Sequence, residues 1–268
     1  MGERDAVEAV EEPVTADAIV GDLRELGVTP GETLLVHSSL QLLGWVAGGA
    51  QAVVEALRRA VGADGTVVVP TFTAQYSDPS VWSNPPVPES WVEGMADRLP
   101  AFRPAVTPSR GVGAVPECLR TFPAAARSRH PEFSFAAVGA DAEAVVTDHP
   151  YDRGLGEGSP PAAVYDRGGS VLLLGVGHAV DTSLHLAEHR ADIDARWVRH
   201  CAPVRRDGGR EMVHYEDIVL STDDFPAAGA AFEREVGARE GPVGAATATL
   251  LDQPALVDFA VEWFEANR

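Results

Sequence analysis

Apolar residues fall in two rhythms along this 268-residue chain. One is a set of short unbroken runs, within Thr33–Val36, Thr66–Val69 and Val171–Leu174, each followed by turn or polar residues. Runs of that length predict strands buried on both faces. The other rhythm repeats at three and four residues. Thr15–Leu26 places Ile19, Leu23 and Leu26 on one face, with Thr15 as N-cap and Gly27 as stop. Ala50–Val61, closed by Gly62, predicts a second helix. Gln253-Pro254 opens a final one, with Leu256, Ala260, Trp263 and Phe264 on its apolar side. Gly111–Thr121 reads as a further helix, and Phe133–Val138 and Glu211–Leu220 as further strands. Strands alternate with helices and no internal repeat is visible, so the pattern predicts an α/β fold.

Periodicity fails between Thr71 and Pro108, where prolines crowd together with Trp82 and Trp91. A long irregular segment inside a compact domain is usually functional or disordered, and the aromatic residues favour an ordered active-site wall. No Ser/Gly linker divides the chain. An acidic tail over 1–14 followed by one domain over 15–268 is therefore the expected organisation.

Charge narrows the partners. A formal net charge of −19 argues against nucleic acid or an anionic membrane and fits a cationic substrate, although acidic surfaces also serve plain solubility. Cys118 and Cys201 make no disulfide framework, which suggests a reducing compartment. The acidic start MGERDAVEAVEEP lacks the apolar stretch of a signal peptide, and no apolar run approaches a membrane span. A soluble, cytoplasmic protein is expected.

The richest stretch is SVLLLGVGHAVDTSLHLAEHRAD, Ser170 to Asp192. Its strand breaks at Gly175 and Gly177, Asp181 and Thr182 start a helix, and His185 falls in the first or second turn. Helical histidines are most often ordinary core or surface residues. This one lies just past a strand end, where α/β sheets bind ligands, with Asp181, Glu188 and Asp192 at helical spacings. That combination predicts an acid/base centre. Two weaker groups accompany it. Ser109-Arg110-Gly111-Val112-Gly113 precedes a helix, and its backbone N–H groups and guanidinium suit a phosphate, but taken alone an ordinary capped helix is the better explanation. His37-Ser38-Ser39 ends a strand, with Arg127 to His130 further on.

Together these stretches resemble the aminoglycoside 3-N-acetyltransferases of the antibiotic N-acetyltransferase superfamily. The matching text is LLVHSSL (34–40), GTVVVPTF (65–72), TPSRGVGAVPE (107–117), RSRHPEFSFAAVG (127–139), EGSPPAAVY (157–165) and LLLGVGHAVDTSLHLAEHRA (172–191). The resemblance runs from about Asp17 to the end of the sequence. It implies a three-layer α/β/α sandwich around a mixed central sheet. It also implies transfer of an acetyl group from acetyl-CoA to an aminoglycoside amine, the 3-amino group of the deoxystreptamine ring, giving antibiotic resistance. His185 matches the family's general base. An acid in HYED matches the group that orients it, Asp217 first and Glu216 second, because neighbouring strand residues face opposite sides. A further family acid is replaced here by Val219.

The resemblance assigns the coenzyme A channel to His37, Ser38, Ser39, Thr71, Ser109, Arg110, Gly111, Val112, Gly113, Ser128, His130 and Phe135. Tyr76, Asp78, Trp82, Asp181, Glu188 and Asp192 become contacts for the cationic sugar. No metal is expected, and the chain is expected to be a monomer or homodimer. Three rivals remain. His-Leu-Ala-Glu-His at 185–189 satisfies the H-x-x-E-H zinc-peptidase pattern, with Glu262 as a third ligand, but that reading leaves HSSL and TPSRG unexplained. A same-fold acyltransferase acting on a biosynthetic amine is the nearer rival. A catalytically dead binding relative is disfavoured by the intact His185.

Overall fold

The structure is a computed structural model that describes residues 2–82 and 85–268. Each apolar run becomes a strand at the centre of one mixed sheet. The strands are β1 (Thr33–Ser38), β2 (Thr66–Pro70), β3 (Ala126–Arg127), β4 (Phe135–Gly139) and β5 (Ser170–Leu174). A separate ribbon pairs β6 (Trp197–Arg206) with β7 (Gly209–Ile218), and β8 (Arg239–Val243) and β9 (Ala246–Asp252) return to the main sheet. The seven-stranded order is β3-β4-β2-β1-β5-β9-β8. Only β2, β1 and β5 run parallel, and antiparallel strands flank them on both sides.

Alternation along each strand sorts the core into layers. Leu34, Val36, Val67, Val69, Leu172 and Leu174 pack under helices Ala16–Leu26 and Gly49–Val61. Val171 and Leu173 face the opposite layer, made by helices Ser183–Arg190, Phe225–Glu235 and Gln253–Asn267. Leu35, Val68 and Phe135 also lie on that opposite face, with helices Ala142–Val146 and Pro160–Asp166. Both faces are covered, which is why these strands read as continuous apolar text. This is the expected α/β/α sandwich.

Boundaries differ from the sequence expectation in places. The helix expected from Gly111 begins at Ala114 and ends at Leu119, because Gly111 and Gly113 have φ of 82° and 89° and stand outside a right-handed helix. The strand expected from Phe133 begins at Phe135. Ahead of Thr15, a short helix Glu3–Glu8 carries a buried Ala6. Among the described residues no helix is long and apolar enough to cross a membrane.

The segment 71–108 is held in place by short helical turns and by packing on the ribbon; its Ser83 and Asn84 lie outside the described residues. Tyr76 and Phe102 form a small cluster with Ala202, Val204, Val213 and Tyr215. The Phe102 amide donates to the Pro203 carbonyl at 2.7 Å. Arg127 reaches over the Phe102 ring and donates to the carbonyls of Thr71, Pro104 and Thr107. Burial pulls this guanidinium down to about 10, so it stays charged at neutral pH and staples the segment to the sheet.

Candidate active site

β2, β1 and β5 end side by side, and the crevice beyond parallel strand ends is where such sheets bind ligands. Gly175, at φ 68°, turns the chain out of β5. A 3-10 turn, His178–Val180, leads to the helix Ser183–Arg190 with His185 in its first turn. His185 and His37 line one cavity of about 670 Å³. Ser38, Ser39, Gly111, Val112 and Gly113 line it too, alongside Phe72, Val176 and Val180. Among the described residues no carboxylate side chain lines it.

The carboxylate behind His185 is Glu188, three residues along the same helix. His185 Nδ1 lies 2.7 Å from Glu188 Oε2. With Glu188 ionised, Nδ1–H donates and the lone pair of the neutral ring sits on Nε2. Burial pushes the Glu188 carboxyl up, but bonds and charge from His185 and Arg268 outweigh it and hold the group below its ordinary value. The His185 ring also meets Phe225 edge-on, with centroids 4.7 Å apart.

Asp217 and Glu216, expected behind the imidazole, are elsewhere. Asp217 is fully buried, accepts from the amides of Gly154 (2.9 Å) and Ile218 (2.8 Å), and lies 3.2 Å from His189 Nε2. Burial raises its carboxyl above the ordinary range. Glu216 points to the other side of β7 and pairs with Arg199 at 2.7 Å on the surface. The two residues face opposite sides of β7, one towards His189 and the other towards Arg199.

His37 is tied into the start of the same helix. Its Nε2 lies 3.3 Å from both the amide and the hydroxyl of Thr182, and 4.0 Å from the buried Asp181. Burial dominates and pulls the ring down to about 4, so His37 is neutral at physiological pH. Asp181 is therefore a buried support between His37 and His178 rather than part of the cavity wall.

Six residues expected in the coenzyme channel lie off the cavity wall. Thr71 bonds with Ser134, Ser128 accepts from the Phe135 amide and meets His149, and Phe135 is core. His130 Nδ1 accepts the amides of Glu132 and Phe133, which organises that turn. Ser109 donates its hydroxyl and amide to Glu117 at 2.6 and 2.9 Å, so these two of the expected phosphate donors are already engaged by a carboxylate. Arg110 remains exposed.

The expected sugar contacts also scatter. Tyr76 is buried with its hydroxyl donating to Pro100, Asp78 caps Ser80, and Trp82 donates to Ser77. Asp192 is exposed. The H-x-x-E-H histidines diverge, His185 towards Glu188 and His189 towards Asp217. Among the described residues no group of three or more His, Cys, Asp or Glu side chains is arranged to hold a metal. Sequence reasoning missed Thr182, Gln41 and Thr222 in the cavity wall. The Glu188 partnership had a signal, the i, i+3 spacing to His185, but was assigned to substrate.

A buried histidine–carboxylate pair opens into a cavity at the ends of the parallel strands of an α/β sheet. The chain belongs to the aminoglycoside 3-N-acetyltransferase family, whose pattern matches residues 35–265. It is 40% identical over 262 residues to the aminoglycoside N(3')-acetyltransferase-like protein YokD of Bacillus subtilis, covering 97% of this chain and 96% of that one. The crystal structure of YokD superposes with a TM-score of 0.95 over 98% of both chains. Aminoglycoside N(3)-acetyltransferase VIII of Streptomyces fradiae is 37% identical, covering 100% of this chain and 97% of its own length. The AAC-IIIb binary complex with CoASH matches with a TM-score of 0.85 at 34% identity, over 95% of this chain and 97% of that one.

Proposed function

We propose that this protein transfers the acetyl group of acetyl-CoA to an amino group of an aminoglycoside, the 3-amino group of the deoxystreptamine ring, in the cytoplasm, and so confers resistance. The observation that carries the reading is the His185–Glu188 pair, 2.7 Å apart, with His185 opening into the cavity at the strand ends. That cavity's mixture of apolar side chains, serines and glycine backbone suits a pantetheine arm and its thioester better than a polycation. The relative with bound CoASH and the aminoglycoside acetyltransferases among the relatives support the same assignment.

Acetyl-CoA would supply an already activated acyl group, so no covalent enzyme intermediate is required. His185 Nε2 accepts the proton that the amine loses as its nitrogen bonds to the carbonyl carbon. Glu188 fixes the imidazole tautomer and stabilises the imidazolium. The C–S bond then breaks, and His185 returns that proton to the departing thiolate. Amide and free thiol are the products, and His185 ends neutral.

A thiol-release assay with acetyl-CoA against a panel of aminoglycosides and other polyamines tests this. Thiol release with a deoxystreptamine aminoglycoside, and a product acetylated at the 3-amino group by NMR, is expected. Activity confined to a non-aminoglycoside amine would replace the substrate with a biosynthetic one and keep the chemistry.

A further inference from the structure

Glu188 is shared. One carboxylate oxygen takes His185, and the other accepts Nη1 of Arg268 at 2.5 Å and the Ser221 amide at 3.3 Å. Arg268 follows the helix Gln253–Asn267 and its guanidinium is held by several partners, with its side chain 17% exposed. Its Nε and Nη2 form a two-pronged contact with Asp224 at 2.8 and 2.6 Å, and Nη2 also approaches the Ser221 carbonyl at 3.4 Å. The guanidinium lies over the Phe264 ring, 4.0 Å from its centroid. Phe264 packs against Phe225, the ring that meets the His185 edge. The same elements thus carry both a polar chain, Asp224–Arg268–Glu188–His185, and an apolar one, Phe264–Phe225–His185.

We propose that Arg268 is a positioning residue, which aims Glu188 and through it sets the orientation and charge of His185. The proposal rests on His185 being the base. A planar fork suits the task, because one guanidinium binds two carboxylates and stacks on an aromatic ring together, which an ammonium cannot do. Arg268 is absent from the cavity wall, so its effect runs through Glu188 and not through a substrate contact. The charged or titratable groups around the pair are His37 and His189 near His185, and Arg268 and Asp224 behind Glu188. Removing the Arg268 charge leaves the buried carboxylate to be balanced by His185 alone, which favours the protonated imidazole.

The test is Arg268→Gln, read by kcat against pH, KM for acetyl-CoA, and NMR titration of the His185 ring. We expect kcat to fall about tenfold to a hundredfold, the scale of a misplaced catalytic group. KM for acetyl-CoA should stay within about twofold, and the acid limb of the profile and the ring titration should both move to higher pH. Arg268→Lys keeps the charge and loses the fork, so it should leave the acid limb in place while kcat still falls. A variant that melts earlier but keeps the parent kcat and pH profile would make Arg268 merely structural and overturn the proposal. So would a rise in KM alone. The NMR titration needs no turnover, so a His185 shift in a protein that acetylates no amine would sink the catalytic reading and leave the coupling standing.

Discussion

The imidazole of His178 occupies the space where a side chain at Gly229 would stand. A Cβ at position 229 would lie 2.1 Å from His178 Cγ and 2.2 Å from Cδ2. His178 is held there between Asp181 (3.5 Å) and Glu233 (3.0 Å), so it has little room to yield. Gly229 sits inside the helix Phe225–Glu235, where alanine would ordinarily be favoured by about 1 kcal/mol. Here Gly229→Ala is expected to destabilise by about 1–3 kcal/mol through overpacking. Denaturant unfolding measures this, and a more stable variant would refute the close approach.

The two candidate carboxylates predict different variants. Glu188→Gln removes the charged partner of His185, and kcat should fall at least about tenfold, towards the hundredfold to ten-thousandfold loss expected of His185→Ala. Asp217→Asn should chiefly cost stability, by about 1–3 kcal/mol, because the carboxylate serves the Gly154 and Ile218 amides. Steady-state kinetics beside thermal melts separates the two. An inactive Asp217→Asn of normal stability, beside an active Glu188→Gln, would reverse the assignment.

Acid should weaken the fold before the carboxylates titrate. Burial holds His37, His149 and His189 at about 4, against an ordinary 6.5. Unfolding lets each take up a proton between those values, so their contribution is complete above about 6.5 and is lost as pH falls towards 4. His178 and His200 run the other way. Burial pulls His178 down but Asp181 and Glu233 outweigh it, and the Glu132 bond raises His200, so both add stability at low pH that fades as pH rises. Burial pulls His130 down as well, and the raised pair changes its contribution only above 6.5, so Tm should fall between pH 6.5 and 4. His149→Gln should flatten that fall, and a Tm that rises over the window would contradict the assignment.

Salt should act unequally on the two substrates. A net charge of −19 attracts a polycation, and ions screen that attraction. KM for an aminoglycoside is expected to climb with ionic strength. KM for acetyl-CoA should not climb with it, since among the described residues no carboxylate lines the cavity assigned to it. Equal responses in initial-rate measurements would show that the acidic field does not steer the amine.

Periodicity and punctuation along the chain were enough for β1, β2, β4 and β5 and for the helices Ala16–Leu26, Gly49–Val61 and Gln253–Asn267, but not for β9 or the helix Phe225–Glu235. Leu34, Val68 and Leu172 lie in runs too apolar for anything but a strand buried on both faces, and Thr15, Gly27 and Gly62 mark real helix ends. The place of His185 beyond β5 was legible for the same reason, since strand, glycine turn and helix start are local events. The edge strand β8 was not, because Arg239–Val243 is mostly exposed and carries Gly and Pro in place of an apolar run. β6 was missed too, since its exposed residues interrupt the hydrophobic pattern. Pairings between distant segments needed the tertiary structure. Asp217 and Glu188 are both acids within reach in principle, and only packing turned one to His189 and the other to His185. Arg268 meets Glu188 across 80 positions of sequence. Local propensity acts over a few residues, whereas the partner of a buried charge is chosen by which side chains the folded core brings within hydrogen-bond distance.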